Sequence, residues 1–188
     1  MEQINIPIEI YRLGYYKLTV IFVLLAFIFS VVNRILKKYD WYKICCGLGC
    51  VLYIFVILYA TVLNRESYIE NRGLSLIPFA SYKIAINGNE EGFRTCFMNA
   101  LLFFPLGCAF YGFNNAKRIK LRYFVLFSFC LSLVIEILQY VFSLGTTELD
   151  DLIHNTLGAV LAYFLCYCFT KIIDLIVAQI KNLRGSHE

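Results

Sequence analysis

Five stretches of this chain are apolar enough and long enough to cross a lipid bilayer, and that repetition leaves few folds open. They run approximately Leu18–Val32, Ile44–Leu63, Thr95–Phe113, Leu121–Phe142 and Leu152–Ile173. A helix needs roughly 20 apolar residues to cross about 30 Å of hydrocarbon. The first stretch is short and resembles a signal peptide. It lacks a small-x-small cleavage site, however, and Arg34, Lys37 and Lys38 follow it directly, so it reads as a retained helix.

Composition closes the other routes. Of 188 residues, 60% are hydrophobic and only 16% charged, with a mean hydropathy of +0.69. A soluble domain carries roughly a quarter charged residues, and one of this size still exposes much of its surface. A water-soluble globule is therefore excluded, as is disorder, which goes with few aromatics and high charge. The net charge of +4 arises from basic residues scattered along the chain, which argues against nucleic acid as a partner. Most of the eight cysteines sit in apolar runs and no CxxC pair occurs, so they read as small hydrophobes rather than disulfide or zinc ligands. The expected fold is all-α: a polytopic transmembrane helix bundle of about five spans.

Basic residues set the expected orientation. Arg34, Lys37, Lys38 and Lys43 crowd the first connection. Lys117, Arg118, Lys120 and Arg122 crowd the third, and Lys171, Lys181 and Arg184 follow the last span. The other side holds Arg12, Lys17, Arg65, Arg72, Lys83 and Arg94. This alternation places the N-terminus outside and the C-terminus in the cytoplasm of a multi-pass cell-membrane protein. The chain then divides into two N-terminal transmembrane helices (1–63), a three-span domain (64–170) and a cytoplasmic tail (171–188). The long outer connection carries the apolar string Leu74, Leu76, Ile77, Pro78, Phe79. It is too short to span and is broken by Pro78, which predicts an outer-side re-entrant or interfacial segment. Asn87-Gly88-Asn89 predicts a turn.

Polar residues within the spans meet at one depth. Glu136 lies fifteen residues along the outward fourth span, about 22 Å up at 1.5 Å per residue, with Gln139 one turn on. Asn99 lies about 8 Å inside the inward third span. Asp151, His154 and Asn155 occupy the first turn of the fifth; Asn99, Glu136, Gln139, His154 and Asn155 share one layer, and Arg94, Glu148, Asp150 and Asp151 lie just above it. A buried Glu136 must be protonated or partnered. Intramembrane ionisable residues indicate function by default, although Glu136 and Gln139 also suit plain interhelical hydrogen bonding. Thr147 with Asp150 fits a capping box at the start of the fifth span. Glu148, Asp150, Asp151 and His154 are the candidate ligands for a divalent cation, but their spacing matches no strong metal motif; no metal and no cofactor is expected. Pro105 predicts a kink in the third span, and Gly158 with Ala162 gives the fifth a small-residue packing face.

Three blocks carry a family resemblance: Leu76-Ile77-Pro78-Phe79; Asn99 through Gly107; and Glu136-x-x-Gln139 followed by Glu148-Leu149-Asp150-Asp151-Leu152-Ile153-His154-Asn155-Thr156-Leu157-Gly158. They lie in order between Asn64 and Tyr167 and resemble the VanZ-like family of bacterial membrane proteins. The resemblance makes 64–170 a VanZ-like domain. It implies an integral protein of the cytoplasmic membrane, mostly of Gram-positive bacteria, in a family whose named member is associated with low-level teicoplanin resistance. Many members carry an arginine directly after the glycine that precedes the acidic block. Thr146 stands there in this chain, so if that arginine binds an anion or pairs with the acids, Arg94 or an arginine of the long loop must substitute, or the activity differs.

Three functions fit these residues. The first is a pocket binding an amphiphile at the outer leaflet, through Arg94, Asn99, Glu136, Gln139, Glu148, Asp150, Asp151 and Asn155. Its ligand would be a lipid-linked cell-wall precursor or teicoplanin, with membrane lipids as neighbours. The second is a hydrolase or transferase on a lipid head group, with Glu136, Asp151 and His154 as candidate catalytic residues. The third is a structural partner of another membrane protein.

Overall fold

The computed structural model describes residues 8–67, 73–80, 82, 90–117 and 119–185. The expected turn at Asn87–Asn89 and the loop cations Arg72 and Lys83 lie outside them. Five helices form: α1 (Ile8–Leu36), α2 (Asp40–Leu58), α3 (Glu90–Lys117), α4 (Leu121–Val141) and α5 (Leu149–Gly185). Each contains a window long and apolar enough to cross a membrane, so the all-α, five-span expectation holds. Pro105 sits inside α3.

Two departures from plain helix occur toward the end of the spans that adjoins the connection between α2 and α3. The last turn of α2 widens into a π-helical turn, Tyr59–Leu63, closed by Asn64 N–H donating to the Tyr59 carbonyl at 2.8 Å. The second is a short parallel pair of strands, β1 (Gly73–Ser75) and β2 (Thr146–Glu148), in register Gly73↔Thr146, Leu74↔Thr147, Ser75↔Glu148. This pair binds the long outer connection to the segment entering α5. It also corrects the capping-box expectation. Thr147 is a strand residue, and its hydroxyl donates to the Glu136 carbonyl at 3.2 Å rather than capping α5.

Within Leu36–Phe164, one compact unit, α2 packs along α3, and Phe103, Leu106, Phe124, Ile135, Ile57 and Ala159 form the core. The closest approach is between α3 and α5. A Cβ at Gly158 would overlap the Ala100 carbonyl, and one at Gly107 would overlap the Ala159 carbonyl and the Ala162 side chain. The glycines thus mesh with small residues on the facing helix, which is how helices gain van der Waals contact where lipid offers no hydrophobic drive. At the cytoplasmic-side end by the charge rule, Phe110 stacks on Phe124 at 4.1 Å between centroids, and Asn114 donates to Tyr163 Oη at 2.9 Å.

The second unit joins α1 to the C-terminal part of α5. Ala26, Ser30 and Asn33 of α1 are buried, as are Cys166 and Thr170 of α5. Ser30 Oγ donates to the Cys166 carbonyl at 3.3 Å, Phe27 meets Phe169 edge-on, and Arg34 pairs with Asp174 at 2.6 Å. The order of these contacts along both helices makes them parallel, as an odd-numbered pair of spans must be.

Candidate functional site

One face of α4 carries Ser128, Ser132, Glu136 and Gln139, all buried. The spacing of four, four and three keeps them on a single helical face. Glu136 is 4% exposed, and Oε2 accepts the Glu148 backbone N–H at 3.1 Å. Burying a carboxylate is costly unless it gains hydrogen bonds and a counter-charge. Here β2 supplies the hydrogen bond, while Arg65 lies within electrostatic reach. One turn deeper, Asn155 Nδ2 of α5 donates to Ser132 Oγ of α4 at 2.9 Å. Gln139 Nε2 donates to the Thr61 carbonyl at 3.1 Å, in the π-helical turn of α2.

Asp151, one turn before Asn155, faces Glu136, Glu148, Arg65 and the Asn99 amide. Asp151 Oδ1, Asn99 Nδ2 and Asn155 Oδ1 are buried without a hydrogen-bond partner. Beside them opens a cleft of about 390 Å³ lined by Arg65, Arg94, Thr95, Met98 and Asn99. Arg65 also reaches Gly145: a Cβ there would stand 3.3 Å from Arg65 Nη1, and the glycine adopts φ +148°. A guanidinium therefore sits beside Gly145-Thr146 without being carried by residue 146. Among the arginines weighed for that place, Arg65 is the one found beside Gly145.

The expected layer thus divides in two. Asn99, Glu136, Glu148, Asp151 and Asn155 gather on the α4 side of α5, with Arg94 lining the adjoining cleft. His154 and Asp150 turn to another face of α5. His154 Nε2 and Tyr82 Oη lie 3.0 Å apart, with the rings tilted at 5.3 Å. Asp150, 2% exposed, accepts the Phe79 backbone N–H at 2.6 Å. Phe79 itself has φ +61°, an outlier for a bulky residue, so this carboxylate holds the outer connection in a strained turn. The common depth read from sequence says nothing of azimuth, and azimuth separates these residues. Among the described residues no group of three His, Cys, Asp or Glu side chains that could hold a metal ion occurs. Sequence reasoning missed Ser132, Thr61 and Tyr82 as partners. The four-residue step Ser128–Ser132–Glu136 was the available signal for the first.

A multi-pass helical membrane protein with a buried glutamate and exposed arginines gathered toward one end of its spans is the class that fold and site define. The chain belongs to the VanZ-like family: the VanZ/LLP1 family model matches residues 44–171. Protein VanZ of Enterococcus faecium is 33% identical over 117 residues, which is 61% of this chain and 66% of that protein. The match thus spans just under two thirds of the relative's length. No solved structure matches.

Proposed function

We propose that this chain binds an amphiphile at the outer leaflet, taking its anionic head group into the cleft between Arg65 and Arg94, and that this is its link to low-level teicoplanin resistance. The ligand is a lipid-linked cell-envelope precursor or an amphiphilic glycopeptide. The observation that carries the reading is the cleft itself: two guanidinium side chains and the Asn99 amide open beside the buried Glu136 and the half-buried Asp151. Arginine grips phosphate or carboxylate through charge-assisted, bidentate hydrogen bonds. Asp151 Oδ1 adds an acceptor for a hydroxyl or amide on the same head group. The outward orientation of the cleft rests on the distribution of basic residues, with the N-terminus outside.

Teicoplanin susceptibility of cells carrying Glu136→Gln and Asp151→Asn, each at wild-type abundance, tests the proposal. Susceptibility rising to that of cells without the protein is the expected result. Wild-type resistance in both variants would remove it.

A further inference from the structure

A second cavity lies on another face of α3. Arg94, Thr95, Met98 and Asn99 line the polar cleft. Phe93, Cys96, Phe97 and Ala100, spaced i, i+3, i+4, i+7, form a separate face of the same helix. His154, Leu157, Gly158 and Leu161 repeat that spacing on α5, and the two faces wall a groove of about 580 Å³. The groove is floored where Gly158 meets Ala100, and its volume of about 580 Å³ is on the scale of one hydrocarbon chain. Its walls are otherwise hydrocarbon and aromatic, with Phe93 and Phe97 stacked at 6.0 Å between centroids. From His154 to Phe164 it extends ten residues, about 15 Å along the helix. Apart from Tyr82 and Leu121, its lining lies within the spanning windows of α3 and α5, which sets most of it at hydrocarbon depth.

One end differs. His154 is buried, yet it borders this apolar groove and bonds Tyr82 Oη. A histidine set in a membrane span beside hydrocarbon costs free energy that packing alone does not require. Tyr82 roofs the same end and is itself braced by Phe79, 5.7 Å away. The groove therefore has the layout of an amphiphile site: a long apolar slot with hydrogen-bonding groups at the outer end only.

We propose that this groove is a hydrocarbon-chain site, separate from the arginine cleft, holding one acyl chain of a single-chain amphiphile whose head group hydrogen-bonds at Tyr82 and His154. The inference stands independently of the ligand assigned to the cleft.

The test uses the full chain with Trp41 replaced by Phe, reconstituted in dioleoylphosphatidylcholine vesicles, with lysophosphatidylcholine bearing a brominated chain as quenching probe. The head group matches the host lipid, so selectivity reports the single chain. A tryptophan is placed in the groove (Phe97→Trp) or on the exposed lipid face of α4 at similar depth (Val134→Trp). Half-maximal quenching at position 97 is expected at a probe fraction at least threefold lower than at position 134. His154→Phe should abolish that difference, while Arg65→Ala should leave it intact. Phe164→Trp, at the inner end, gives a second reporter if Phe97→Trp does not elute as a folded species. Coincident quenching curves at the groove and control positions would overturn the proposal, because bulk lipid would then fill the groove without preference.

Discussion

At the scale of single residues, the polar side chains of the spans have distinct tasks. Asn155 and Ser132 exchange a hydrogen bond between α5 and α4, while Gln139 stabilises a carbonyl in the widened turn of α2. Such bonds in membranes contribute about 0.6 kcal/mol on average and rarely above about 1.7 kcal/mol. Asn155→Leu should therefore lower stability by about 1 kcal/mol, measured by detergent-titration unfolding in bicelles, and leave the helix content unchanged. A loss several times larger would mean that Asn155 anchors more than Ser132. Arg65 is the residue whose task was hardest to assign from sequence. It is separated from Glu136 and Asp151 by most of the domain, and only the folded chain brings its guanidinium to Gly145. Arg65→Lys keeps the charge but loses the planar fork, so it should retain normal abundance while weakening teicoplanin resistance more than Arg122→Lys at the opposite end of α4.

At the scale of elements, the hydropathy of the chain carried most of the fold. Twenty-residue apolar runs define helices almost by themselves, because a membrane demands internal satisfaction of every backbone group. Height along a helix follows from residue counting, which is why Asn99, Glu136 and Asn155 were expected in one layer with Asp151 just above; in the fold Asp151 faces Asn99 and Glu136. Azimuth does not follow from counting. His154 is adjacent in sequence to Asn155, roughly 100° around the helix from it, so its side chain meets Tyr82 rather than Ser132, and no pattern within α5 announces which. The strand pair was illegible for another reason. Three residues on each side carry no alternation, and their pairing is distant in sequence. The contact of α3 with α5 rests on absent side chains. Gly158→Leu must force those helices apart, because the atom it would meet is backbone. Loss of folded protein in detergent extracts is expected, whereas Gly49→Ala, where a Cβ meets nothing within 4 Å, should be tolerated at wild-type yield.

At the scale of the whole molecule, the distribution of basic residues makes a topological prediction. In a cysteine-free background, Glu148→Cys should react with a membrane-impermeant maleimide in intact cells, and Lys120→Cys only after permeabilisation. The reverse result would move the arginine cleft to the cytosol and end the outer-leaflet reading. Helix α5 contributes 37 residues, about 55 Å of helix, well beyond the hydrocarbon thickness. A tilt of about 40° would still leave part of it outside. The Arg34–Asp174 pair joins α1 to the C-terminal part of that long helix.

The pairing of Gly73–Ser75 with Thr146–Glu148 also orders events during synthesis. Ribosomes deliver the first strand while its mate is still untranslated, and two further helices must enter the bilayer before the mate arrives. Until then Glu136 lacks the backbone donor that settles it. A nascent chain stalled before Thr146 would present an unfinished carboxylate to the translocon, and quality control could recognise it there.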